Sequence, residues 1–208
     1  MINNLFSVPI KNLNFKHLDL KSITKYCLSK TEPSLAYSNE GGHHSKFFNL
    51  NSDEVLHPLC NEILNASKEF CDELEVESVT KIKNMWCILN KYGHYNRDHL
   101  HPHSFLSGVF YPGENYPDGC GDLSFKNPGH MVMNYDWDEK QKKFNQYNSL
   151  AMNIQPQPGM CLLFPSYVSH YVHVNRNKDI DRLAISFNNE EKMKELKLIP
   201  PTDPRVQT

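Results

Sequence analysis

The sequence predicts a mainly β protein, an all-β core with helices packed on its outside. Two patterns and one size argument point there. Apolar residues recur at helical spacing only before about residue 75, and from Val79 onward the period drops to two, with short apolar runs separated by turn residues. A chain of 208 residues, 39% hydrophobic and 22% charged, is long enough for one sizeable core and too short for two comfortable ones.

Taken in order, Leu5-Phe6-Ser7-Val8-Pro9-Ile10 alternates and is expected as a short first strand, held at a sheet edge because Pro9 has no amide hydrogen to donate. Residues 18–28 place Leu20, Ile23, Thr24 and Cys27 on one face of a first helix. A turn-rich segment follows from Ser29 to Ser45, with Pro33 and the pair Gly41-Gly42. On extended chain its adjacent His43 and His44 would send their rings opposite ways. Both read as loop polarity, unless this long segment lids a site. Ser52 is the expected N-cap of a second helix, with Asp53 and Glu54 where the helix dipole favours acids. Leu56, Leu59, Cys60, Ile63, Phe70 and Leu74 form its apolar stripe, suited to packing on a sheet. Pro58 fits only a first turn, which moves the start to about His57.

After Val79, Ile82, Asn84, Trp86, Ile88 and Asn90 share one face of a strand, and Lys83, Met85, Cys87, Leu89 and Lys91 the other. Neither face is cleanly polar, as befits a strand covered on both sides. Further strands are expected at Phe105–Tyr111, Asp122–Lys126, Ala151–Gln155, Met160–Phe164, His170–Val174 and Arg182–Asn188, with turns at Gly113, Asp118-Gly119, Pro158-Gly159 and 175–179. Met131 to Ser149 reads as a polar, aromatic insertion with a hairpin near Asn134 to Phe144.

A net charge of -2 and a pI near 6.6 lack the basic footprint of a nucleic-acid binder. No apolar run is long enough to span a membrane, and no charged-then-apolar leader opens the chain, so the expected location is the cytoplasm. The six cysteines include no Cys-x-x-Cys pair and read as buried thiols of a reducing compartment.

The chemistry concentrates in Asp98-His99-Leu100-His101-Pro102. A strand turns alternate side chains the same way, so His99 and His101 face one side and can bite a metal ion together, while Asp98 points away. His170 arrives much later, and Arg182, twelve residues beyond it, opens the last strand. His103 lies one strand step beyond His101 and should fall outside the ligand set. His173 should point away from the face that carries His170.

The block Trp86…Asn90, Gly93, His99-Leu100-His101-Pro102, Ser107-Gly108-Val109-Phe110-Tyr111, Gly121-Asp122-Leu123-Ser124-Phe125 and Asn127-Pro128 resembles the centre of a bacterial and phage family of 2-oxoglutarate/Fe(II) oxygenases. Pro158-Gly159, Phe164-Pro165-Ser166, His170 and Arg182…Ser186-Phe187-Asn188 resemble its closing block, and Leu5-Phe6-Ser7…Pro9 with Ser38-Asn39…Gly41-Gly42…Ser45 its opening. The resemblance covers nearly the whole chain. It implies a double-stranded β-helix (jelly-roll, cupin-like) core related to prolyl hydroxylases, in one domain: helical support over 1–78, core over 79–190 and a tail over 191–208. It also implies an enzyme that consumes O₂ and 2-oxoglutarate, releases succinate and CO₂, and hydroxylates a substrate C–H, with a protein prolyl residue or an amino acid as substrate. His99, His101 and His170 would hold Fe(II). Arg182 would anchor the distal carboxylate of 2-oxoglutarate through paired hydrogen bonds, with Tyr111, Asn90 and Ser186 lining that pocket and Asn96 nearby. No nucleic acid or membrane enters as partner.

One departure bears on the metal. Most such oxygenases carry Asp or Glu where this chain has His101. A neutral ligand there leaves the site one charge more positive. Asp98 and Asp122 are the alternative carboxylates, Asp98 only if a bulge turns it inward. The rival readings are a three-histidine cupin-like metalloenzyme that does not use 2-oxoglutarate and a non-catalytic jelly-roll binding module.

Overall fold

The structure is a computed structural model and describes residues 7–34, 38–129 and 142–191. In chain order the strands are β1 (Lys11–Asn14), β2 (Glu32–Pro33), β3 (Asn39–Glu40), β4 (His43–His44), β5 (Val79–Asn90), β6 (Tyr95–His99), β7 (Leu106–Phe110), β8 (Leu123–Lys126), β9 (Ala151–Ile154), β10 (Met160–Pro165), β11 (His170–Val172) and β12 (Arg182–Glu191). Two helices, α1 (Leu20–Leu28) and α2 (His57–Glu73), precede β5. Seven strands form one antiparallel sheet in the order β1-β10-β7-β12-β5-β4-β2, and five form a second in the order β3-β6-β11-β8-β9. From β5 to β12 the chain winds back and forth between them, which is the double-stranded β-helix.

Strand alternation sorts the apolar residues into two cores. In β10, Cys161 and Leu163 join the helix-side cluster with Leu59, Ile63 and Phe70 of α2, while Met160, Leu162 and Phe164 join the cluster between the sheets with Leu123, Phe125 and Val172. In β12, Leu183, Ile185 and Phe187 face the helices and Ala184 the inter-sheet side. The larger sheet is therefore apolar on both faces, as the continuous runs in its sequence require. Gly108 on β7 is demanded by this packing: a Cβ there would lie 2.3 Å from Phe187 Cζ and 2.6 Å from the Leu162 carbonyl oxygen.

Several sequence expectations shift. The first strand among the described residues is Lys11–Asn14; residues 7–10, the described part of the strand expected over 5–10, form none. What decides is the alternation after Pro9, where Leu13 and Phe15 turn inward while Asn12 and Asn14 stay exposed and β1 pairs with β10. The segment from Ser29 to Ser45 is not all loop, because β2, β3 and β4 are two-residue strands too short to leave a period. Ser52 does not cap α2. A 3-10 turn at Glu54–Leu56 leads directly into His57, with Pro58 in the first turn, where its missing N–H costs nothing. Asp19 instead caps α1, accepting from the Ser22 N–H at 3.0 Å. The hairpin expected near Asn134 to Phe144 lies mostly outside the described residues, as does the tail from residue 192.

Candidate active site

His99 ends β6 and lies opposite His170, the first residue of β11, in the antiparallel register. His101 follows in the turn after β6, where its N–H donates to the Ser166 carbonyl at 3.0 Å and so ties the turn to the end of β10. Pairing and turn bring the three rings to centroid separations of 4.4–5.2 Å. Ligand-capable nitrogens of all three lie within 4.8 Å of one another.

The tautomers follow from the neighbours. His99 Nδ1 donates to the Arg97 carbonyl at 2.7 Å and His170 Nδ1 to that of Val168 at 2.8 Å. A carbonyl can only accept, so both rings carry their proton on Nδ1 and keep the Nε2 lone pair free. His101 Nδ1 meets Asn188 Oδ1 at 2.5 Å and Ser107 Oγ at 3.0 Å. Burial pushes His170 down to about 3, His101 down to about 4, and His99 below the usual imidazole value. At neutral pH the cluster is three uncharged imidazoles, a donor set that fits a first-row divalent ion such as Fe(II).

The carboxylate alternatives stand outside the ligand cluster. Asp98 turns away, accepting from Lys126 Nζ at 2.5 Å and from the Ser169 hydroxyl. Burial works to raise its pKa, but these bonds outweigh it and the group stays below the usual carboxylate range. Asp122 is not among the clustered ligand groups, and His173 meets Asn153. His103 is also outside the cluster, in the left-handed region at φ 63, its carbonyl accepting from Lys83.

A cavity of about 580 Å³ opens beside the imidazoles, and Arg182 lies at its inner wall. Arg182 is 2% exposed. Its Nε donates to the Gly121 carbonyl at 2.8 Å and one terminal nitrogen to the Tyr111 hydroxyl at 3.0 Å. Among the described residues no carboxylate forms an ion pair with it. A buried guanidinium without a counterion costs several kcal/mol, on the order expected for an unpaired interior charge, unless an anion joins it. Tyr111 is fully buried, which raises its pKa and keeps the phenol protonated. Since it accepts from Arg182, its own proton is available to another acceptor. Ser186 and Asn96 line the cavity; Asn90 is buried behind Asn96 and donates to its Oδ1 at 3.1 Å.

The profile of the family described as "Putative 2OG-Fe(II) oxygenase" matches residues 84–188, half of the chain. The chain belongs to this 2-oxoglutarate/Fe(II) oxygenase family. It is an oxygenase that uses Fe(II) and 2-oxoglutarate, and the imidazole cluster and buried arginine suit those two groups. No curated protein matches the chain in sequence. Among solved structures, a Pseudomonas putida prolyl-4-hydroxylase aligns over 90% of this chain and 95% of its own, with a TM-score of 0.65 at 13% identity. A Trichoplax adhaerens prolyl hydroxylase in complex with a hypoxia-inducible-factor peptide aligns over 88% and 83%, with a TM-score of 0.61 at 14% identity. The epimerase SnoN of nogalamycin biosynthesis, in complex with Fe³⁺ and α-ketoglutarate, aligns over 88% and 79%, with a TM-score of 0.62 at 10% identity. These likenesses establish the shared fold.

The oxygenase cavity also contains residues to which the sequence pattern assigned no site role. Trp86 stacks on His44 at 5.9 Å and 17° and meets Phe47, 58% exposed, at 5.7 Å. His44 is thus a half-buried wall residue, not loop polarity, whereas His43 faces the other way against His94. Asn84 and Asn188 also line it, and Ser107 is bonded to Asn188 and His101; none of the three has a site role in the sequence pattern. The placing of Asn84 and Trp86 on one strand face with Ile88 was their available signal.

Proposed function

We propose that this oxygenase hydroxylates a C–H bond of an amino-acid or peptide substrate, a prolyl residue foremost. In this reading His99, His101 and His170 hold the Fe(II), and Arg182 with Tyr111 binds the distal carboxylate of 2-oxoglutarate. The supporting observation is that three neutral imidazoles and a buried guanidinium, with no carboxylate ion-paired to it among the described residues, line one cavity. Bound Fe(II) supplies the oxidative decarboxylation that consumes O₂ and 2-oxoglutarate, releases succinate and CO₂, and hydroxylates the substrate.

The chain's own part is binding and placement. Arg182, held by the Gly121 carbonyl and Tyr111, presents its remaining N–H groups to a carboxylate. Ser186 adds a hydroxyl to the same cavity. The apolar wall of His44, Phe47, Trp86 and Ile88 suits a saturated ring packed face-on, while Asn84 offers a polar amide nearby. That wall carries the prolyl reading more than the fold does, because the same fold also serves the epimerase SnoN. Six free cysteines accord with a reducing cytoplasm.

Anaerobic titration with Fe(II) and 2-oxoglutarate tests the residue roles. A weak visible charge-transfer band is expected, lost in His170→Ala and in Arg182→Ala. Iron binding without the band removes Arg182 from its role. For the substrate, prolyl peptides should raise succinate formation above the peptide-free rate; no increase with any prolyl peptide or amino acid sinks that assignment.

A further inference from the structure

We infer that Asn188 is the positioning residue for His101, selecting the one tautomer in which this imidazole can serve as a metal ligand. The inference rests on the three-histidine reading above. A carboxylate, the usual group at this position, has no tautomers. An imidazole has two, and only the form protonated on Nδ1 leaves Nε2 free.

His99 and His170 have that choice made by backbone carbonyls. His101 faces side chains instead, and these can act either way. The Ser107 hydroxyl, 3.0 Å from Nδ1, could donate or accept. Asn188 is decisive, because its amide is oriented from its far end: Nδ2 donates to Asn84 Oδ1 at 2.8 Å. Oδ1 is thereby turned toward His101 Nδ1 at 2.5 Å and also accepts from Ser107 Oγ at 2.7 Å. Ser107 Oγ in turn bonds Ser166 Oγ at 2.7 Å. Were the amide reversed, its NH₂ group would face Nδ1, and the imidazole proton would be driven to Nε2.

The arrangement is built into the sheet. Asn188 on β12 pairs in register with Asn84 on β5 and with Ser107 on β7. Asn188 is 6% exposed and Ser107 and Ser166 are 0% and 2%, so these three are largely shielded from water, while Asn84 is half-buried at the cavity wall. Buried polar networks of this kind are high-stakes, since each member left unpaired costs stability. Apolar residues would serve the scaffold alone with less risk.

Anaerobic Co(II) binding, read by calorimetry and by the ligand-field spectrum, tests this without turnover. Wild type is compared with Asn188→Leu, Asn188→Asp and His170→Ala, each checked for folding by circular dichroism in chelator. Asn188→Leu should weaken Co(II) binding by about 10–100-fold, as loss of a partner behind a ligating histidine does, and should change the spectrum. Asn188→Asp should bind more tightly than wild type, because a carboxylate behind the ring makes it a stronger donor. Unchanged binding in folded Asn188→Leu overturns the inference. So does Asn188→Asp binding no better than wild type, and this comparison alone decides if the leucine variant does not fold. Wild-type binding by His170→Ala would instead overturn the three-histidine reading itself.

Discussion

Single side chains at this site are best distinguished by what stands behind them. His99 and His170 lean on backbone carbonyls, His101 on an amide, and Arg182 on a carbonyl and a phenol. Asp98, nearest to the histidines in sequence, is occupied by Lys126 and Ser169. Asp98→Asn should therefore leave metal affinity within about twofold of wild type, whereas His101→Ala should lower it sharply; calorimetry with Co(II) separates the two. The twofold bound corresponds to the small effect of a partly exposed ion pair. Arg182→Ala should raise the dissociation constant for 2-oxoglutarate by about 10–100-fold, the equivalent of roughly 1.5–3 kcal/mol for a charged hydrogen-bonded partner. Anaerobic titration of the metal-loaded protein measures it, and an unchanged constant would return Arg182 to a structural role.

At the scale of elements, β12 joins scaffold to site. Arg182, Ser186 and Asn188 fall on the face that lines the cavity, while Leu183, Ile185 and Phe187 pack toward the helices. Period-two alternation thus couples the two functions without mixing them. α2 lies wholly on the helix side, with Leu59 and Ile63 at 0% exposure. Ile63→Ala should lower stability by about 2–5 kcal/mol, the usual range for emptying a buried aliphatic site, and leave Co(II) affinity of the folded protein unchanged. Urea unfolding and calorimetry on the same preparation test both halves. Gly108→Ala should cost about 1–3 kcal/mol by overpacking against Phe187 and the Leu162 carbonyl, and it alone among these scaffold changes should disturb the cavity that Gly108 lines.

For the whole molecule the buried imidazoles set the response to pH. Burial holds His44, His99, His101 and His170 below their ordinary value, the last two to about 4 and about 3. Below the unfolded value of about 6.5, the unfolded chain therefore binds more protons than the folded one. Stability of the metal-free protein falls as pH drops from about 6.5 toward 3, and is fully present above that window. Urea midpoints in chelator should decrease from pH 7.5 to pH 5; a flat profile would mean that the rings are not neutral and buried. Metal works in the opposite sense, stabilising by about 2.7 kcal/mol at a concentration one hundred times its dissociation constant, so the melting temperature should rise with added Co(II). No helix among the described residues is long and apolar enough to cross a membrane.

What the sequence determined by itself is what short-range pattern can encode. Period-two runs marked β5 and the later strands, a helical stripe marked α2, and the order His99, His101, His170, Arg182 pointed to the family and to residues that the fold brings to one cavity. Those signals survive because alternation and motif spacing are local. The tertiary structure alone decided which way ambiguous groups act. Whether His101 or Asp98 faces the cluster depends on the turn tied to Ser166. Whether His44 is loop polarity or cavity wall depends on the stacking of β4 beside Trp86. That Asn84, Ser107 and Asn188 form one network depends on the register of three strands far apart in the chain. Hydrogen-bond direction and burial come from such cross-strand neighbours, and no spacing along a single strand contains them.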